Sequence, residues 1–208
     1  MTHTLHRKGT KASLRSDYIF LCMAAKGINE VGADEKMREF LRIVIKYGAV
    51  NVGDMRTGNI FCHNIEEIIA KVTSTSIVHG VFTDTETVSK VMKRFKNANL
   101  GTSVVISGPF SSVEEACKKE GLVPHSVDYS AGIWGKTEKV ARQELLECTT
   151  MCGHAMISAN LVDDIVKRIK AGVTSVREGA IEIGRVCCCG IYNPVRAEKI
   201  LGKLAKQG

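Results

Sequence analysis

The run DYIFLCMAA (residues 17–25) contains the longest unbroken apolar stretch of the chain, Tyr18 to Ala25. Its bulky residues Tyr18, Ile19, Phe20 and Leu21 follow one another without helical spacing, so it reads as a buried strand. It is far shorter than the roughly 20 residues that cross a bilayer. On its C-terminal side Gly27 and Gly32 mark a turn. A helix is predicted near residues 34–47, with Met37, Phe40, Leu41 and Val44 on one face and Gly48 as its stop.

Further along, Ala49 to Val52 and Asn59 to Cys62 each read as a short strand. Asn64 and Glu67 form a capping pattern for a helix reaching Val72. A strand over Ser76 to Thr83 then leads into a helix that opens at Asp84 and carries Val88, Val91, Met92 and Phe95 on one face. The β-branched run Ser103 to Ser107 is broken by Gly108-Pro109, and a last helix of this half stops at Gly121. This alternation predicts an α/β fold, with helices packed on a small sheet. A two-layer, ferredoxin-like βαββαβ arrangement is favoured over a doubly wound parallel sheet.

From about Lys136 no strand is expected. Helices are predicted from Thr137 to Cys152, from near Asn160 to Gly172, from the capping pair Ser175 and Glu178, and from Asn193-Pro194, where proline suits the first helical position. The chain thus divides into a basic N-terminal arm (residues 1–16), an α/β domain (17–135) and a helical, cysteine-rich module (136–208). No linker of biased composition separates the last two, and they are expected to pack as one unit.

The 208 residues carry 29 Lys and Arg against 22 Asp and Glu, a net charge of +7. The excess is not spread over the chain. Residues 1–16 hold Arg7, Lys8, Lys11 and Arg15 with no acidic group, and residues 191–208 hold four basic groups against Glu198. The body between is neutral, so a broad nucleic-acid footprint is absent. An aromatic content of 5% also argues against a base-stacking platform. The basic start shows no apolar segment followed by a cleavage site, and the expectation is a cytoplasmic protein without a membrane segment. The arm, with His3, His6, Arg7 and Lys8, reads as a mobile or partner-contacting tail.

Five of the eight cysteines, Cys148, Cys152, Cys187, Cys188 and Cys189, fall within residues 148–189. In a reducing compartment they are expected to be thiols or metal ligands rather than disulfides. Cys148 and Cys152 lie one helical turn apart on one face. Cys187 and Cys189 project to the same side of an extended segment, with Cys188 pointing away. Three consecutive oxidation-prone thiols have little use in a core that Val or Ala would fill. The metal set is therefore Cys152, Cys187 and Cys189, with Cys148 as an optional fourth ligand that also continues an apolar helix stripe. The spacing matches neither paired zinc loops nor the ferredoxin run. An iron–sulfur cluster, [4Fe–4S], is the first occupant considered and zinc the alternative.

His154, two residues after Cys152, is a further ligand, an acid/base group or a surface histidine. Cys22 and Cys117 are expected in the core. Ser111 and Ser112 follow a strand end and either bind an anion or cap the helix. His125, Asp128, Tyr129 and Trp134 either line an interdomain crevice or pack a hinge. No dinucleotide or P-loop glycine pattern occurs.

These features predict an iron–sulfur protein, an oxidoreductase or lyase. It would act in electron transfer or cluster-assisted conversion of a small polar molecule, with a small-molecule substrate or a redox partner protein. The competing classes are a non-enzymatic interaction protein with a structural zinc, and a metal-free enzyme using a cysteine nucleophile such as Cys152 beside His154.

Overall fold

The structure is a computed structural model that describes residues 2–207 and, at Thr2, the backbone alone. In chain order the elements are α1 (Lys11–Leu14), β1 (Tyr18–Met23), α2 (Ala33–Lys46), β2 (Asn51–Asp54), β3 (Gly58–Asn59), α3 (Ile65–Ala70) and β4 (Ile77–Phe82). They continue with α4 (Thr85–Ala98), β5 (Ser103–Ser107), α5 (Phe110–Lys119), α6 (Gln143–Thr149), α7 (Ala159–Lys170), α8 (Val176–Arg185) and α9 (Pro194–Lys206). Among the described residues no helix is long and apolar enough to cross a membrane.

The strands form one sheet in the order β3-β2-β4-β1-β5, antiparallel at every pairing. This pairing sets aside the doubly wound parallel sheet. β1 lies between β4 and β5, with Tyr18 opposite Phe82 and Ile19 opposite Ser107. Its run lacks polar alternation because both faces of the sheet are covered. On one face Tyr18, Phe20 and Cys22 join Phe40 of α2, Phe95 of α4 and Cys117 of α5 in one core. Rings stack there, Phe40 on Phe95 at 4.9 Å between centroids and Phe20 edge-on to Phe82 at 5.5 Å. On the opposite face Ile19 and Val81 join a second core that takes in the buried cysteines Cys148, Cys152, Cys187 and Cys189 and the apolar sides of the C-terminal helices.

Local signals set most boundaries. Asn193 caps α9 by accepting from the Arg196 amide, with Pro194 in the first turn, and Ser175 with Glu178 closes a full capping box on α8. Ser158 caps α7, whose first residue, Ala159, falls beside the start expected near Asn160. The helix expected from Thr137 to Cys152 is shorter: a 3-10 turn covers Thr137–Lys139, Val140 and Arg142 are extended, and α6 begins at Gln143. The lost turns contain β-branched residues and no capping side chain, so nothing there supports a helix.

Two expectations are corrected. The arm is not a mobile tail: Thr4 is buried and bonds the Ser107 hydroxyl at 2.6 Å, and the Arg7 side chain is 6% exposed. The aromatics of residues 125–134 neither pack a hinge nor line a crevice between sheet and helices, since Tyr129 and Trp134 are 85% and 81% exposed.

Candidate metal centre

Where α8 ends, the chain turns through Cys187, Cys188 and Cys189 and comes down on the sheet. Side chains from β2 and β3 receive it. Asn59 donates to the carbonyls of Gly184 and Cys187, and Asn51 donates to the Tyr192 carbonyl at 2.8 Å. Between these anchors the contact is backbone on backbone. A Cβ on Gly53 would lie 2.8 Å from the Cys189 carbonyl oxygen, and one on Gly190 would lie 2.5 Å from the Gly53 nitrogen. Gly190 also has φ of +80°, which L side chains rarely adopt. Only glycine at both positions lets the cysteine loop lie flat on β2.

Cys152 enters from the end of α6. Its thiol lies against that of Cys187, which in turn meets Cys189. All three are buried, at 2%, 0% and 0% exposure. His154 follows through the turn at Gly153 and places Nδ1 3.6 Å from Cys189 Sγ. From the sheet, His79 of β4 contributes a fully buried imidazole on the face that carries Val81. From the arm, His3 brings its Nε2 to 3.0 Å from His79 Nε2 and stacks its ring on His154 at 4.6 Å. Donor atoms of His3, His79 and Cys189 lie within 4.8 Å of one another, and so do those of His154, Cys188 and Cys189.

Beside these donors sits a buried charge network. Asp17 accepts from Arg7 at 2.9 Å, from Arg196 at 2.8 Å and from the Asn193 amide at 3.0 Å. Arg7 also donates to the Ile191 carbonyl at 2.6 Å, and Arg196 to the Lys8 carbonyl and to Ser13. Glu147 approaches Arg196 only to 3.9 Å. Two guanidinium groups thus share one fully buried carboxylate. Burial pulls Arg7 down from its ordinary range, Asp17 opposes that, and the neighbouring Cys187 and Cys189 also favour its charge.

Cys152 and Cys187 are hard to ionise. The contact with Cys187 and then burial push Cys152 far up. Cys187 is lowered by Cys152, but Cys189 and burial outweigh this and carry it up to about 11. His3 falls to about 4, through burial first and then the neighbouring His154, and burial holds His79 well below its usual value. Both imidazoles are therefore neutral near pH 7, the form that binds metals.

Of the residues singled out from sequence, Cys152 meets Cys187, Cys187 meets Cys189 and Cys189 meets His154, a chain of contacts that does not gather the four around one point. Cys148 lies apart, against the buried Tyr192 hydroxyl and near Arg196, and burial pushes it up to about 12. Cys188 does not point away from the others: residues 187–190 form a turn rather than an extended strand, so alternation fails and its thiol approaches His154 and Cys189. Ser111 and Ser112 open α5 on the far side of the sheet, where Ser112 sits on the first core's edge and its amide bonds the Pro109 carbonyl. His79 was legible as the lone ionisable residue inside an apolar strand. His3, Arg7 and Asp17 carried no such sign.

A cleft of about 290 Å³ opens against the centre, lined by Cys152, Gly153, His6, Thr149, Thr150 and Ile157 among others. Compared with known proteins, the chain matches no family model, no curated protein and no solved structure.

Proposed function

We propose that the chain is a metal-dependent protein whose centre is built on His154, Cys188 and Cys189, with Cys187 and Cys152 in the thiol cluster beside them, and that it converts a small polar molecule in the cleft beside Cys152. The observation that carries this reading is the convergence of His154 and Cys189. On a tetrahedral ion with a metal–sulfur bond near 2.3 Å and a metal–nitrogen bond near 2.05 Å, thiolate and imidazole donors sit about 3.6 Å apart. Cys189 Sγ and His154 Nδ1 have that separation. Arg7, close to Cys187 and Cys189, supplies positive charge to balance thiolates.

This spacing favours one tetrahedral ion, zinc or ferrous iron, acting as a Lewis acid. The [4Fe–4S] cluster is the second reading. A cubane carries its thiolates on separate irons and spreads them wider than one ion does, but the third thiol at Cys152 and the adjacent cation favour an anionic cluster. The metal-free nucleophile is the weakest reading, because catalytic thiols are lowered, not raised.

Leaving aside the two-residue β3, the order β2-β4-β1-β5 supports a ferredoxin-like βαββαβ reading of residues 17–135. In it, α2 joins two strands flanking β4 and α4 joins two flanking β1. Residues 136–208 then serve as the metal-binding module. A reducing compartment such as the cytoplasm suits eight free thiols.

The test is anaerobic purification of the full chain with metal analysis and a visible spectrum. Colourless protein holding zinc, or protein holding iron without sulfide, supports a mononuclear centre. Brown protein with iron and sulfide selects the cluster, and metal-free protein that alkylation inactivates overturns the proposal. Cys189→Ser is expected to reduce bound metal about tenfold or more, since it removes a ligand outright. Cys117→Ser, on the opposite face of the sheet, leaves metal content unchanged.

A further inference from the structure

We infer that the centre is dinuclear, with a second divalent ion held by His3, His79 and Cys189, and with the Cys189 thiolate bridging the two ions. This rests on the reading of Cys189 and His154 as ligands given above, and adds to it a position that needs neither Cys152 nor Cys187.

Two sets of three donors each fit within 4.8 Å, and they share one member, Cys189. A single ion served by both sets would need His3, His79, His154, Cys188 and Cys189 around one point, more donors than a tetrahedral site accepts. A thiolate has lone pairs enough for two metals, so the shared sulfur is the natural bridge.

The His3 and His79 nitrogens are set for an ion. Two imidazoles on one tetrahedral metal place their nitrogens about 3.3 Å apart, and these stand at 3.0 Å. As a simple hydrogen bond the pair leaves a defect: His79 is fully buried and its Nδ1 has no partner among the described residues. An unsatisfied buried polar atom costs about 1–3 kcal/mol. The Cys189 backbone also lies against this ring, which ties the loop that carries the shared sulfur to His79.

Both histidines are also held in place. His79 is paired on both sides within the sheet, opposite Leu21 of β1 and Gly53 of β2. His3 is held through its backbone, since a Cβ on Gly153 would lie 1.8 Å from the His3 carbonyl oxygen. The arm and the turn that carries His154 therefore fit together only because residue 153 has no side chain. The rings of His3 and His154 then stack, one serving each ion.

Cobalt(II) titration tests this on the full chain, stripped with chelator under reducing, anaerobic conditions and followed by visible absorption and metal analysis. The expected result is a break at two equivalents. His79→Ala and His3→Ala each lower it to one while keeping the thiolate-to-cobalt band of the first position, and Cys189→Ser abolishes both. His3 lies outside the sheet, so His3→Ala carries the same expectation if His79→Ala does not fold.

A wild-type break at one equivalent that His3→Ala leaves unchanged overturns the second position while the first stands. A single equivalent that His3→Ala removes altogether also overturns it, by assigning one ion to the arm histidine. Wild-type protein that binds no cobalt overturns this inference and the underlying reading together.

Discussion

Asp17→Asn is expected to destabilise the fold by about 3–5 kcal/mol, the cost of removing one partner from a buried ion pair. Folded domains are stable by only about 5–15 kcal/mol, so the variant should lose much of its stability, visible as a large drop in the urea midpoint. The cause is specific. The Asp17 carboxylate accepts from Arg7, Arg196 and Asn193 at 0% side-chain exposure. A neutral amide there leaves two buried guanidinium groups facing each other with only Glu147, 3.9 Å from Arg196, as a remaining counter-charge. Glu147→Gln is the control: this carboxylate is 3.9 Å from Arg196 and 20% exposed, and its loss should cost no more than about 1 kcal/mol. If the two variants unfold at the same urea concentration, the network does not hold the arm.

Gly190→Ala is expected to have the second largest effect, and to strike stability and metal binding together. An L residue in the left-handed region costs about 1–2 kcal/mol, and at Gly190 the new methyl would also meet the Gly53 nitrogen at 2.5 Å. The partner is backbone in β2 and cannot turn aside, so the cysteine loop must lift from the sheet. Gly172→Ala isolates the first contribution, because φ there is +70° but nothing lies within 4 Å. Urea unfolding should show Gly190→Ala less stable than Gly172→Ala, and metal analysis should show metal lost only from the former. Equal midpoints and equal metal content would mean that the loop does not depend on its seat on β2.

The parts of the fold that could be read from sequence are those whose signals are local. The unbroken run of β1 shows burial on both faces, and Asn193-Pro194 and Ser175 with Glu178 carry their own hydrogen-bonding instructions. The clustering of cysteines is likewise visible, because Cys187 to Cys189 are neighbours in the chain. What escaped depends on partners far away. Arg7 looks like a tail residue until Asp17 and the Ile191 carbonyl, 184 positions on, are placed beside it. His3 acquires a role only through His79 and through the missing side chain at Gly153. Cys188 was read with the period of a strand, whereas a turn ignores that period.

The way the arm is bound also dictates an order of events during synthesis. Residues 3–17 are made well before residues 191–196, yet beyond their own pairing Arg7 and Asp17 find their remaining partners there. At about 5–20 residues per second the arm waits on the order of 10–40 s for them. During that interval the second core, on the sheet face that carries Ile19 and Val81, still lacks what residues 191–206 contribute to it. The nascent chain thus carries an incompletely covered apolar surface that closes only later. Contacts this distant in sequence also form slowly once both ends are free. The arm's network therefore closes only once residues 191–196 have been made.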